Sequence, residues 1–209
     1  MTALTTDGAL RQRTYRRRPA VLVGRSACAV VALLLAGAVV AFNGIYRTAE
    51  ANAAALVLRP FVGGNATAVR DIFWVYPQGF SYGFQVSSEC TAILLIAPLL
   101  LLTAALFVFT RAAVWRVWLG TIAMYAIVTI VNEFRLALIA LSGVHWGMKS
   151  GYEIAHVFVG SFVGIVGFAA GLTALILISV GRRRDADRPR RGKRAAGGGS
   201  TTKAGEAGR

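Results

Sequence analysis

Long apolar stretches separated by short polar segments fill the chain between residues 21 and 181. A bilayer core about 30 Å thick requires roughly 20 apolar residues in helical conformation. The stretches are long enough for this requirement and contain few charges. The pattern therefore predicts about four transmembrane helices, over 21–42, 90–110, 117–134 and 154–180.

The segments between these spans predict two outer loops, 43–89 and 135–153. In the first loop, Ala49–Val62 is expected to form a short interfacial helix. Ile72–Val86 is aromatic-rich, and its alternating polar and apolar positions around turn residues favour a β-hairpin or an extended loop. In the second loop, Leu136–Val144 is apolar but too short to span, which favours a surface or re-entrant helix.

Composition supports the membrane interpretation. Hydrophobic residues make up 56% of the 209 residues and charged residues only 15%, with a mean hydropathy of +0.60. A soluble domain of this size could not cover so much apolar surface. We therefore predict an all-α integral membrane protein whose transmembrane domain, 21–181, lies between two basic tails. The second tail, 182–209, is also rich in Gly and Ser and is expected to be disordered.

The basic residues are distributed asymmetrically. Eighteen of the 23 Lys and Arg residues lie in the N-terminal segment up to Arg25, the Arg111–Arg116 turn and the C-terminal tail. The two outer loops hold five, nearly balanced by acidic residues. Because positive charge concentrates on the cytoplasmic side, both termini are predicted to be cytoplasmic, where the tails can contact anionic lipids. The net charge of +14 comes with no nucleic-acid-binding motif, so a nucleic-acid partner is not expected.

The first apolar run has two interpretations. Ala49–Ala51 and Ala51–Ala53 resemble small-residue cleavage sites, which would make the run a signal peptide. We favour an uncleaved anchor over 21–42, in which the side chain of Arg25 extends to the lipid head groups. Both interpretations place the following loop outside the membrane.

The two cysteines, Cys28 and Cys90, fall near opposite ends of their spans in this topology. Their separation exceeds the reach of a disulfide, so each thiol requires its own explanation. Cys90 lies at the boundary between a polar loop and a long apolar run, whereas Cys28 lies inside an apolar run, where packing explains it.

Helical rise places three reactive side chains at similar depth. Cys90 is 21 residues from Arg111, about 31 Å along a helix, and Arg135 is 19 residues from Arg116, about 28 Å. Both lengths nearly equal the hydrocarbon thickness of roughly 30 Å. If the inner arginines mark the cytoplasmic interface, Cys90 and Arg135 lie at the outer one. His156 reaches the same level if the last helix is tilted.

These side chains suit acyl transfer through a thioester. A cysteine attacks a carbonyl as thiolate, and a helix N-terminus at Cys90 would favour negative charge. His156 can accept the thiol proton and later protonate the leaving amine, while Arg135 can donate to a developing oxyanion. No metal or cofactor site is predicted, because the histidines and the outer cysteine are scattered and no phosphate-binding glycine loop occurs.

The same residues carry a resemblance to a known family. Glu89–Thr91, the N-x-x-R sequence Asn132–Arg135 and the H-x-x-x-G sequence His156–Gly160 occur in this order. In these motifs the chain resembles the exosortase/archaeosortase family of membrane cysteine transpeptidases over roughly Val86–Val180. Thr91 and Ala92 stand where the family usually has a small residue and glycine.

The resemblance implies Cys90 as nucleophile, Arg135 as the stabiliser of the intermediate and His156 as acid/base. It implies no cofactor. The substrate would be a membrane-anchored secreted protein with a C-terminal sorting signal, cleaved at a short motif and passed to an envelope acceptor. The enzyme would be a multi-pass protein of the plasma membrane with its active site on the extracytoplasmic face.

A second hypothesis stays open from the residues alone. Cys90 and His156 could serve packing and hydrogen bonding, and Arg135 could pair with a nearby glutamate. The protein would then be a non-enzymatic assembly or transport subunit of the membrane. Gly160, Gly164, Gly167 and Gly171 form a small-residue face on the last span, which predicts close packing against a neighbouring helix.

Overall fold

The structure, a computed structural model, describes residues 19–77 and 79–181. The predicted tails 1–20 and 182–209 lie outside these ranges, except for residues 19 and 20, which begin the first helix. The helices are α1 (Pro19–Ala41), α2 (Asn43–Leu58), α3 (Ile93–Phe109), α4 (Val114–Trp146) and α5 (Gly160–Val180). A 3₁₀ turn (Arg59–Phe61) follows α2, and π-helical turns (Gly147–Tyr152 and Ala155–Val159) connect α4 to α5.

The membrane-protein architecture predicted from the sequence is confirmed in its main feature. Among the described residues, three helical stretches are long and apolar enough to cross a bilayer: Leu22–Ala41, Val114–Tyr152 and Ala155–Val180. Helix α3 is equally apolar but has only 17 residues, about 25 Å of helix. The count of four crossings and the cytoplasmic position of both termini stay predictions.

The predicted break between a third span at 117–134 and an outer loop at 135–153 is absent. Helix α4 instead runs without interruption for 33 residues, about 50 Å. The polar residues in Asn132–Arg135 do not end the helix, because Asn132 is buried and bonds to Glu50 on α2. The apolar segment 136–144 continues α4 and is not a separate re-entrant helix. This extension positions the elements around the candidate site.

The fold is not purely helical, which corrects the all-α prediction. Three short strands in the first loop, β1 (Ala66–Val69), β2 (Ile72–Val75) and β3 (Tyr82–Gln85), form an antiparallel sheet in the order β1-β2-β3. The predicted hairpin over 72–86 is confirmed as β2 and β3, paired so that Phe73 lies opposite Phe84. Strand β1 was not predicted, because its four residues Ala66–Val69 are too few to show a period.

The helix predicted at 49–62 is confirmed, but it begins earlier, at Asn43, and becomes a 3₁₀ turn after Leu58. Its position at the membrane surface stays a prediction. Small residues line one of its faces at helical spacing. This face packs with the sheet and the extended end of α4 into one core, which contains Ala51, Ala54, Leu58, Ala66, Phe73, Phe84, Cys90, Leu136 and Ala140 among others. A layer of sheet and helix therefore covers one end of the helical bundle.

The opposite end is closed by Arg25. Its guanidinium donates to the carbonyls of Phe107, Thr110 and Ala112 at 3.1, 2.5 and 2.6 Å. The sequence predicted only that Arg25 extends to lipid head groups; the structure adds that the free carbonyls where α3 ends offer its guanidinium charge-assisted acceptors. Cys28 packs in the cluster around Phe107, apart from the core that contains Cys90, and both thiols are free.

Helices α4 and α5 are packed closely along a glycine face. A Cβ at Gly167 would lie 2.7 Å from Val131, and one at Gly171 would lie 2.7 Å from Val128. Both distances are shorter than real carbon contacts, so glycine is required at both positions for this approach. Gly164 faces open space instead. The predicted small-residue face is thus confirmed for Gly167 and Gly171 but not for Gly164.

Candidate active site

The sequence predicted that Cys90 lies in the first turn of a helix. In the structure it lies in a turn that precedes the helix. Its N–H donates to the Ser87 carbonyl at 3.1 Å, and α3 begins only at Ile93. The Cys90 side chain is 3% exposed, while Glu89 beside it is exposed. The thiol is therefore enclosed by protein, and the neighbouring carboxylate is in contact with solvent.

His156 meets this thiol directly. Its Nε2 lies 3.1 Å from the Cys90 Sγ, although 66 residues separate the two in sequence. His156 belongs to the π-helical turn Ala155–Val159, an element that occurs often at functional sites. The reversal after α4 returns the chain alongside that helix and brings the imidazole to the thiol. The contact has the distance and the atoms needed for proton transfer.

One aromatic ring stacks on the imidazole, and a second aromatic ring packs against the first. The Tyr152 ring stacks on His156 with centroids 5.4 Å apart and an interplanar angle of 21°. Phe84 of β3 packs in turn against the Tyr152 ring, with centroids 5.9 Å apart. The two rings therefore connect the core that contains Phe84 with His156. Aromatic pairs at these separations are attractive, so the stack restricts the orientation of the imidazole.

Arg135 of α4 lies against Gly160, which follows His156 by four residues. A Cβ at Gly160 would lie 3.1 Å from the Arg135 Nε and 3.3 Å from Ile139. The glycine of the H-x-x-x-G sequence therefore leaves space for the arginine of the N-x-x-R sequence. The Nε of Arg135 is buried and has no hydrogen-bond partner among the described residues. Arg135 thus retains a donor that a bound group can use.

A buried carboxylate joins the cysteine segment to α4. Glu50 on α2 is 3% exposed. Its Oε1 accepts hydrogen bonds from the Ala92 N–H and from the Asn132 side-chain amide, both at 2.8 Å. One oxygen atom therefore links α2, the start of α3 and the N-x-x-R segment of α4.

Burial raises the pKa of the Glu50 carboxyl above its usual range. The hydrogen bonds from Ala92 and Asn132 and the charge of Arg135 act in the opposite direction. Its second oxygen, Oε2, is buried without a partner among the described residues, as are Oδ1 of Asn132 and Oε2 of Glu133. The polar surroundings of the site are therefore supplied by α2 and α4 together.

Glu50 was not singled out from the sequence, where it is one of the acidic residues that balance the basic residues of the outer loops. A signal was present, because a period of 3.6 residues places Glu50 on the same face of α2 as Ala54 and Leu58. A lone acidic residue on a buried helix face needs partners, which makes it a candidate for a structural or functional role.

A polar cluster at the surface ties α2 to the sheet. The carboxylate of Asp71, in the turn between β1 and β2, accepts hydrogen bonds from Arg47 and from Gln85. The hydrogen bond from Gln85, followed by the one from Arg47, lowers the pKa of Asp71. Gln85 ends β3 and leads into the turn that contains Cys90, so this cluster fixes the start of the cysteine segment.

The three residues selected from the sequence occupy one end of the bundle. Cys90 and His156 are in contact, and Arg135 lies beside Gly160, four residues after His156. Cys90 also shares a core with Leu136, the neighbour of Arg135. The thiol and the imidazole are thus in direct contact, and the equal depth in the membrane that helical rise predicts for the three residues stays a prediction.

The comparisons with known proteins agree with the motifs. The model of the family described as transmembrane exosortase matches residues 64–177, more than half of the chain. The match contains Cys90, Arg135 and His156, and it begins after Glu50. No curated protein and no solved structure matches the chain. With its family motifs gathered at one end of a helical membrane bundle, the chain belongs to the transmembrane exosortase family.

Proposed function

We propose that this protein is a membrane cysteine transpeptidase that cleaves a C-terminal sorting signal through a thioester. The observation that carries the proposal is the 3.1 Å contact between the Cys90 Sγ and the His156 Nε2. A thiol paired with an imidazole is the arrangement by which cysteine nucleophiles are activated. Membership of the exosortase family supports the same chemistry.

In the first half of the reaction, His156 accepts the proton of the Cys90 thiol. The thiolate sulfur attacks the carbonyl carbon of the scissile peptide bond, and a tetrahedral oxyanion forms. Arg135 stabilises this oxyanion, because its buried Nε has no other partner among the described residues. The C–N bond then breaks, His156 gives its proton to the leaving amine, and the retained part of the substrate stays on Cys90 as a thioester.

In the second half, a nucleophile from the acceptor attacks the thioester carbonyl. His156 takes the proton of that nucleophile, the C–S bond breaks, and His156 returns the proton to the released Cys90 thiolate. Water in place of the acceptor gives hydrolysis by the same steps. The enclosed position of Cys90, which is 3% exposed, favours transfer because it limits the access of water to the thioester.

The substrate in this proposal is a secreted protein held in the membrane by a C-terminal helix. The enzyme lies in the plasma membrane, with the sheet, α2 and Cys90 on the extracytoplasmic side and the basic tails on the cytoplasmic side. The distribution of Lys and Arg supports this orientation, since 10 of the 23 follow residue 181. The tails then lie where anionic lipid head groups attract them.

A trapping experiment tests the proposal. Cells producing the wild type, Cys90→Ala or Cys28→Ala are quenched in acid, and the purified proteins are treated with hydroxylamine, which cleaves thioesters. We expect a hydroxylamine-sensitive polypeptide on the wild type and on Cys28→Ala, attached at residue 90 and ending before a transmembrane segment. Cys28→Ala is the matched control, because it removes the other free thiol and leaves the site intact.

Cys90→Ala should accumulate in the membrane and carry no such adduct. The proposal fails if Cys90→Ala processes the same polypeptide as the wild type does. Unchanged processing would instead favour the second hypothesis, in which the protein is a non-enzymatic assembly or transport subunit.

A further inference from the structure

A buried acidic residue outside the family motifs links the segments that carry the candidate catalytic groups. Glu50 lies on α2, before residue 64, where the match to the family model begins. No catalytic step in the proposed mechanism uses its carboxyl group. It is nevertheless 3% exposed, in a protein where a buried carboxyl is costly unless it is hydrogen-bonded.

The contacts of Glu50 are specific. Its Oε1 accepts from the backbone N–H of Ala92, two residues after Cys90, and from the side-chain amide of Asn132, three residues before Arg135. Both hydrogen bonds are 2.8 Å long. A single atom therefore sets the distance between the chain that carries the thiol and the helix that carries the guanidinium.

Few backbone–backbone hydrogen bonds hold the chain at Cys90. Cys90 precedes the first residue of α3, so its position depends on a turn closed by the Ser87 carbonyl and on the contacts of Ala92. The Ala92 N–H belongs to the group of N–H donors at a helix start that have no partner within the helix. Glu50 supplies the missing acceptor from another helix and so fixes where the turn ends.

We propose that Glu50 is a positioning residue that holds Cys90 in line with His156 and Arg135, an inference that rests on the proposed function. The property required of Glu50 is a hydrogen-bond acceptor at the end of a side chain of this length. Negative charge is not required. Helix α2 is then part of the active site, although it lies outside the matched region.

Three substitutions test separately whether position 50 requires a hydrogen-bond acceptor, a negative charge or a side chain of this length. Glu50→Gln keeps a carbonyl oxygen at the same place and removes the charge. Glu50→Asp keeps the charge and withdraws the oxygens by about one C–C bond, 1.5 Å, beyond hydrogen-bond reach. Glu50→Ala removes the acceptor altogether. Asn52→Ala is the matched control, because Asn52 is exposed on the same helix and bonds only to the Thr48 carbonyl among the described residues.

The rate at which Cys90 is alkylated, measured as a function of pH, reports whether the thiol lies against the imidazole of His156. The measurement uses iodoacetamide on full-length protein carrying Cys28→Ser, with His156→Ala as the reference for a thiol without its imidazole. A general loosening of the fold raises the alkylation rate at every pH. Loss of alignment instead changes the shape of the profile toward that of His156→Ala.

We expect Glu50→Gln and Asn52→Ala to keep the wild-type profile and most of the wild-type processing. Glu50→Asp and Glu50→Ala should show the changed profile and about 100-fold slower processing, the effect of a misplacement near 1 Å. Thermal unfolding of each variant is recorded alongside. If Glu50→Ala does not accumulate, Glu50→Asp provides the comparison.

Three results would overturn the inference. They are a Glu50→Gln profile changed like that of Glu50→Ala, a Glu50→Asp variant equal to the wild type, or failure of Glu50→Gln to accumulate. The test is separate from the proposed function: if the wild type forms no thioester while the alkylation profiles follow the expected order, the transpeptidase proposal fails and the positioning of Cys90 by Glu50 stands.

Discussion

The Sγ of Cys90 and the Nε2 of His156 lie 3.1 Å apart, brought together from a loop before α3 and a π-helical turn before α5. Two separate contacts hold this pair. Glu50 fixes the chain after Cys90 through the Ala92 N–H, and Tyr152 stacks on the imidazole of His156. The candidate catalytic pair is thus supported from both sides by residues of other elements.

Replacing His156 with Gln should abolish processing while leaving the protein folded. Glutamine retains a polar side chain of similar length but cannot accept and return a proton, so we expect a loss of about 100-fold or more. The measurement is the amount of processed polypeptide and of Cys90 thioester in the same cells. His145→Gln is the control, because His145 is exposed near the end of α4. Equal activity of the two variants would contradict the assignment of His156.

Gly160→Ala should impair catalysis through Arg135. The new methyl group would lie 3.1 Å from the Arg135 Nε, so the guanidinium must shift by a few tenths of an ångström. We expect processing to fall about tenfold, or roughly 1.4 kcal/mol in the barrier. Gly164→Ala on the same helix meets nothing within 4 Å and should retain activity. A normal rate for Gly160→Ala would show that Arg135 tolerates displacement.

Gly171→Leu should destabilise the packing of α4 against α5. Even a Cβ at this position would lie 2.7 Å from Val128, so a larger side chain must separate the helices. Overpacking of this kind typically costs about 1–3 kcal/mol. The measurement is the thermal unfolding midpoint in detergent, with Gly164→Leu as the matched control. A lower midpoint for Gly164→Leu than for Gly171→Leu would contradict the observed helix approach.

The cluster of Asp71 with Gln85 and Arg47 should make stability depend on acid pH. The hydrogen bonds from Gln85 and Arg47 hold the pKa of Asp71 in the folded protein below its ordinary value of 3.8. Its contribution to the free energy of unfolding is therefore present above about pH 4, near the pKa of an unfolded Asp, and is lost as pH falls through the lower folded-state value. Unfolding midpoints measured from neutral to acid pH test this sign.

Asp71→Asn provides the comparison for that measurement. It should be less stable than the wild type at neutral pH, and the difference should shrink as the pH falls below 4. The effect is expected to be small, because Arg47 and Asp71 form an ion pair in contact with solvent. A difference that grows toward acid pH would contradict the lowered pKa.

The sequence by itself determined the membrane class, the approximate location of the apolar helices and the three candidate residues. These follow from local properties: an apolar run long enough to cross a bilayer, helical rise per residue, and side chains that carry reactive groups. Cys90 and Arg135 could be predicted to lie at one depth for this reason, with His156 at the same level if the last helix is tilted. The hairpin at β2 and β3 was also visible, because alternation with turn residues is a local pattern.

Only the tertiary structure decided which side chains meet. Depth does not give the rotation of a helix about its axis, so the contact of Cys90 with His156 was beyond sequence reasoning. The continuous α4 through Asn132–Arg135 was misread as a helix end, because polar residues in an apolar run look alike whether they face solvent or a buried partner. That partner is Glu50, 82 residues from Asn132, and a hydrogen bond over such a separation leaves no periodic signal in the sequence.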